Sequence, residues 1–173
     1  MSTAIFNNWR NTSGVLRQTI LQVVSATKTD TQSFAASATF SDITGLSLSL
    51  TPSAAASRFL IFFSVVAGNG TDQSHFYVRL QRNGTNILLA DAASNRTSGS
   101  GIVINTAIAG QTLLNALMYV DSPNTVSPVT YKLQATSNNT AGISWVNRST
   151  RDTDLTGYDG RATSNITVME ISS

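Results

Sequence analysis

A single histidine, His75, stands in the 173 residues, directly after Ser74 and three positions after Asp72. These side-chain types are those of a hydrolase triad, in which an imidazole takes the hydroxyl proton and a carboxylate orients the ring. A triad, however, is a geometry assembled across a fold, whereas these three are neighbours on one short segment. No G-x-S-x-G elbow occurs to expose a nucleophile. With one His and no Cys, the sequence also lacks thiolate nucleophiles, thiolate zinc sites and multi-histidine metal sites. It therefore reads as a non-enzyme that carries no cofactor.

A second chemical signal is the run Asp152, Asp154 and Asp159-Gly160, whose carboxylates are the hard oxygen ligands that calcium takes. The D-x-D fragment lacks the rest of a calcium loop, and Arg148, Arg151 and Arg161 bracket it with competing cations. Ion pairing is the better reading. Arg148, Arg151, Asp152, Asp154 and Arg161 are expected to form a network that holds the long loop 149–163. The glycine-rich pieces 68–71 and 98–101 lack both the Walker lysine and the G-x-G-x-x-G spacing, so they read as strand connections rather than phosphate cradles. Seven N-x-S/T sequons, at Asn11, Asn69, Asn83, Asn95, Asn138, Asn147 and Asn165, follow from an excess of Asn, Ser and Thr, since Met1 to Arg10 does not read as a secretion signal.

That excess sets the fold class. The chain holds 23 Ser, 23 Thr and 14 Asn but only two Lys and one Glu, and charged residues make up 12% against the usual ~25%. The residues that favour helix are scarce, while Thr, Val, Ile and aromatics suit pleated strands. The net charge of +2 is scattered without a basic run, which argues against a nucleic-acid partner. No apolar stretch approaches the ~18 residues of a membrane span.

Short apolar runs separated by turn clusters recur from residue 25 onward, as in a β-sandwich. Leu46, Leu48 and Leu50 alternate with small residues, and Val129, Tyr131, Leu133 and Ala135 alternate with polar ones. His75–Arg82 places Phe76, Val78 and Leu80 on one face, ahead of Asn83-Gly84, the strongest short hairpin signal, with a return strand expected at 87–90. Further strands are expected at 101–109, 112–120, 141–147 and 165–171, with loops at 91–100, 121–128 and 149–163. The run 58–66 (RFLIFFSVV) is apolar on both faces, so its second face needs a cover. A subunit interface using Phe62, Tyr77 and Arg79 is one such cover, and the amino-terminal arm is another. Phe62, Phe63, Tyr77, Tyr119 and Trp145 also allow an aromatic sugar-binding surface, against the commoner reading of buried aromatics.

Residues 1–24 differ from the rest: Ile5, Phe6 and Trp9 sit in a polar context as exposed anchors, and 11–21 allows a helical turn or an extended segment. The expected division is an attachment arm, 1–24, and a β-sandwich knob, 25–173.

The series R-L-Q-R-N-G-T (79–85), D-A-A-S-N-R-T (91–97), M-Y-V-D-S-P (118–123), T-Y-K-L-Q (130–134) and the end V-N-R-S…D-T-D…Y-D-G-R…I-T-V-M-E-I resembles a domain on tail fibres and other virion-surface proteins of tailed bacteriophages, marine and cyanobacterial ones above all. The resemblance covers residues 21–171. It implies an all-β, antiparallel jelly-roll-like sandwich, similar to trimeric knob heads, in a virion protein made in the host cytoplasm. Fewer than 25 residues precede the knob, shorter than a fibre shaft. The leading expectation is a homotrimeric receptor-binding knob joined through Ile5, Phe6 and Trp9 to another virion protein. A capsid decoration protein is the alternative, and a carbohydrate-binding module the third. Host contact, including surface glycans, is expected at loop tips carrying Asn69, Thr71, Asn95, Ser98, Asn138 and Asn139, with no membrane insertion.

Overall fold

The computed structural model describes residues 19–68, 72–106, 110–138 and 143–173. Its strands are β1 (Ile20–Lys28), β2 (Gln32–Ala35), β3 (Ser41–Leu50), β4 (Arg58–Gly68), β5 (Asp72–Arg82), β6 (Thr85–Ile87), β7 (Gly101–Thr106), β8 (Leu113–Asp121), β9 (Val129–Ser137), β10 (Ile143–Val146) and β11 (Ser164–Ile171). No helix occurs among the described residues.

The strands form two antiparallel sheets. In the first, β1, β11, β4 and β8 lie side by side, and β10 and β2 continue the sheet beyond the end of β11. In the second, the order is β3, β9, β5, with β7 and β6 pairing successive parts of the far side of β5. Each sheet thus interleaves strands from the two ends of the chain, with β11 between β1 and β4 and β9 between β3 and β5. This interleaving is the connectivity of a jelly roll.

Alternation along the strands fills the space between the sheets. Phe59, Ile61, Phe63, Val65 and Ala67 of β4 point inward and are at most 2% exposed. They meet Phe76, Val78 and Leu80 of β5 and Val129, Tyr131, Leu133 and Ala135 of β9, all fully buried. Burial of a large apolar side chain contributes roughly 1.5–3 kcal/mol, so this layer is the main source of cohesion. The second face of β4, Leu60, Phe62, Ser64 and Val66, points away from the core.

Asn83 and Gly84 close the β5–β6 hairpin with φ of 48° and 82°, the left-handed pair that a two-residue turn requires. The Asn83 carboxamide oxygen also accepts the Thr130 N–H at 2.8 Å, tying the turn to β9. The return strand is 85–87 rather than 87–90, because Leu88 takes a φ of 55° and leaves the ladder. The boundary expected at residue 24 falls inside β1, whose Gln22 to Lys28 pair with Glu170 to Ser164. Strand β2 went unrecognised in the sequence. β7 ends at Thr106, and 107–109 lie outside the described residues.

One end of the sandwich is locked by a polar triad between the sheets. The last residue of β8, Asp121, turns inward, receives the Tyr131 hydroxyl at 2.6 Å and pairs with Arg82 Nη1 at 2.8 Å. Tyr131 is fully buried, and burial, then its bond to Asp121, hold the phenol well above its usual pKa, so it stays a donor. Replacing Tyr131 by Phe should cost about 1–2 kcal/mol, one buried hydrogen bond. Asp121→Ala should cost more, about 2–4 kcal/mol, because both donors lose their acceptor, moderated by the partial exposure of Arg82. Urea denaturation of the two variants measures the difference, and equal costs would refute the inter-sheet lock.

Candidate functional site

The outer faces of the two sheets have different chemistry. On the first sheet, register places Val120, Leu60, Met169 and Val23 in one row across β8, β4, β11 and β1, with Met118, Phe62, Thr167 and Ser25 in the next. Leu114 and Met118 are 64% and 61% exposed. Beside them a shallow depression of about 390 Å³ is lined by Phe62, Phe63, Ser64, Ala116, Leu117, Met118 and Asn165. The only charge among the outward-facing residues of these four strands is Arg58, at the rim.

The opposite outer face carries a polar network across β3, β9 and β5. Asp42 pairs with Lys132 at 2.8 Å and accepts from Gln134 Nε2 at 2.6 Å. Gln134 Oε1 accepts in turn from Arg79 Nε and Nη2, and the Arg79 guanidinium lies 4.1 Å over the Phe40 ring. The Lys132 ammonium, then the Gln134 amide, hold the Asp42 carboxyl below its usual range against the opposing effect of burial. The His75 and Tyr77 rings stack at 5.9 Å, and Asn138 accepts the His75 backbone N–H at 2.6 Å.

Phe62 therefore stands on one outer face and Tyr77 and Arg79 on the other, so the structure does not bring these three expected interface residues together. The aromatics considered for sugar binding are likewise dispersed. Phe63 is in the core, Tyr119 packs against it, and Trp145 lies beneath Arg148 at 3.9 Å.

The loop between β10 and β11 is built on a buried asparagine. Asn147 takes a φ of 65° and is fully buried, its amide donating to the Lys28 and Asp30 carbonyls at 2.9 Å and its oxygen accepting the Ser164 hydroxyl at 2.6 Å. That burial closes the Asn147 sequon to any glycan in the folded chain.

Beyond Asn147, Asp152 pairs with Arg148 at 2.9 Å and with Arg161 at 2.5 Å. Arg151 pairs with Asp159 at 2.8 Å, and Asp159 also accepts the Ser149 hydroxyl and the Thr153 N–H. The structure thus gathers Arg148, Arg151, Asp152 and Arg161, while Asp154 is exposed and takes no part in these ion pairs. Asp159 is the residue the sequence reading omitted from the network. Its signal was the turn-forming Gly157, with a φ of 85°, which folds Asp159 back toward Arg151.

Of the expected loop-tip residues, Asn95 is exposed and Ser98 half-buried, its hydroxyl 3.4 Å from the Asp91 carbonyl. Asn138 is engaged with His75, and Asn69, Thr71 and Asn139 lie outside the described residues, as do Ile5, Phe6 and Trp9.

No family model and no curated protein sequence matches the chain. Solved structures are similar to it. One is the infectious bursal disease virus Gt strain, with a TM-score of 0.51, 13% identity, and 98% of this chain covering 46% of that one. Others are a viral particle of infectious bursal disease virus, TM-score 0.49 at 11% identity over 98% of this chain and 43% of that one, and a subviral particle of the same virus, TM-score 0.46 at 11% identity over 98% and 46%. The likeness to the Gt strain is one of fold, and the chain spans less than half the length of these neighbours.

The Arg151 guanidinium holds the Asp159 carboxyl far below its usual range, outweighing burial, with the Thr153 and Ser149 donors adding to it. A carboxyl depressed in the folded state contributes stability above its unfolded pKa of ~3.9, and that contribution is lost as pH falls through the lower folded value. The loop should accordingly keep its order well into acid, whereas Asp159→Asn should lose it at neutral pH. Trypsin cleavage after Arg151, followed by mass spectrometry, reports this: faster cutting in the variant is expected, and equal rates would show that the pair does not order the loop. Melting that calcium raises and a chelator reverses would instead mark a metal site.

Proposed function

We propose that this chain is a structural protein of a virus particle, displayed on the surface of a tailed-bacteriophage virion as a short trimeric receptor-binding knob. The observation that carries the reading is the jelly-roll strand order, similar in fold to the structure of infectious bursal disease virus Gt strain, in a chain whose motif series resembles phage virion-surface domains. Folds of this type serve many purposes, so the surface chemistry has to supply the rest of the argument. One outer face is apolar and suits assembly. The loops are rich in Asn, Ser and Thr, which offer adaptable hydrogen bonds to hydroxyl-rich glycans at little ordering cost.

In this reading Ile5, Phe6 and Trp9 insert into another virion protein, and each buried large apolar side chain contributes roughly 1.5–3 kcal/mol to the attachment. Host contact falls to weak sites on loop tips, with Asn95 in the exposed loop 91–100 the freest of the described candidates. Three copies on one particle raise such weak contacts by avidity. A capsid decoration role is the second reading, favoured by the fold likeness to a complete virus structure.

Gold-labelled antibody against the purified chain, imaged on intact particles, separates the readings. Label at the tail supports the knob, label spread over the shell supports decoration, and particles without label overturn the virion assignment. On particles that do label, a chain lacking residues 1–18 is expected to be absent, and normal incorporation would remove the arm as anchor.

A further inference from the structure

We propose that further copies of this chain pack on the outer face of β8 and β4, seating Met118 and Leu114 of one copy in the depression beside Ala116 of the next. The inference deepens the trimeric reading above and takes its copy number from it. What it adds is the face that makes the contact.

Four strands about 4.8 Å apart and about seven residues long present a face of roughly 450 Å². That area, in which Ser25, Thr27, Ser64, Asn165 and Thr167 stand among the apolar residues, is comparable to the largest patch of a typical monomer, about 300–600 Å² and often functional, and each partner in a standard interface buries about 800 Å². The sheet face alone therefore supplies over half of one side of an interface. At the start of β1 the face includes Ile20 and Leu21, which are 59% and 46% exposed.

The occupant follows from charge and shape. An interface between unlike partners is about as polar as the rest of a protein surface, whereas the interface between identical copies is more apolar. Apart from Arg58 at the rim, the outward-facing residues of these strands are uncharged, which matches a like partner. The shape fits a like partner as well. Ala116 lies between Leu114 and Met118 on the same face of β8, opposite Ser64 on β4, so two small residues form a hollow flanked by two long projections. Projection and hollow stand two residues apart on one strand. About a three-fold axis running along this face, each copy offers a projection to one neighbour and the hollow to the other, a heterologous contact that closes into a ring of three.

The test is the mass of the full-length chain by light scattering at tens of micromolar, alone and with Met118→Glu or Leu114→Glu. Both side chains are over 60% exposed, so the monomer fold should survive, and circular dichroism and melting check each variant. Ser47→Glu, on the opposite outer face beside Lys132, is the control. The expected result is a trimeric mass for the unaltered chain and the control, falling to about one third in either folded variant. A trimer that neither variant dissociates overturns this face while leaving the trimeric knob standing. A monomeric unaltered chain overturns both. A monomer that associates only after removal of residues 1–18 shows that the chain's own arm occupies the face.

Discussion

Strand β4 is the constraint on which the molecule turns. Its inward residues form the centre of the core, and its backbone is paired on one side by β8 over Phe59 to Ala67 and on the other by β11 and then β10. Every strand of the first sheet reaches the rest through it, directly or through β11 and β10. A strand so placed must be apolar inward, and its outward residues inherit whatever covers the sheet. The sequence RFLIFFSVV meets the first demand with Phe59, Ile61, Phe63 and Val65, and leaves Leu60, Phe62 and Val66 for the second. The same segment thus couples the stability of the domain to the character of its surface.

Around that core, a chain poor in charge spends its carboxylates on fixed positions. Asp121 joins the two sheets at one end, and Asp42 ties β3 to β9 across the polar face. Glu170 is fully buried and pairs with no cation among the described residues. Burial pushes its carboxyl up, and donors including Gln22 Nε2 and the Ser53 N–H and hydroxyl more than offset that and hold it below its usual range. Those donors bind the segment after β3 and the bulged start of β1 to β11. Hydroxyl and amide side chains do the work that lysines and arginines do in a more charged protein, which gives the abundance of Ser, Thr and Asn a structural role.

The period-two strands were legible because alternation is local: Phe76, Val78 and Leu80 against Tyr77 and Arg79 needs no knowledge of the neighbours. The Asn83-Gly84 turn was legible for the same reason, since left-handed φ at two successive residues narrows the choice to few side chains. Strand β2 was not, because QSFA carries only Phe34 inward and owes its existence to pairing with β10, more than a hundred residues away. Sheet membership was also beyond local reading. Phe62 and Tyr77 both look like outward aromatics on consecutive strands, yet the jelly-roll crossover sends those strands to opposite sheets and their outward faces to opposite sides. In the loop 147–163 the charge types were apparent. The choice of Asp159 over Asp154 rested on the turn at Gly157 and on a buried Asn147, whose partners Lys28, Asp30 and Ser164 lie on distant segments.

The unlike outer faces follow from this crossover. The two central outer surfaces, on β4 and β5, belong to strands joined by a single connection, so the chain can make one apolar and the other polar without conflict in its alternation. On the polar side, Arg79, Gln134, Asp42 and Lys132 satisfy one another, and Phe40 with residues 36–39 covers part of that sheet through the Ser37 to Ser137 and Thr136 bonds. Those polar groups are paired within the monomer, while Ile102 of β7, opposite Tyr77, stays 47% exposed. The other sheet presents Phe62, Leu114 and Met118 to solvent, with no segment among the described residues laid across it. A free energy of roughly 25 cal/mol for each Å² of apolar surface removed from water is therefore available on the first face. In the proposed assembly the first face is covered, and the second, with its fixed polar ladder and the neighbouring loops, is turned toward the surroundings.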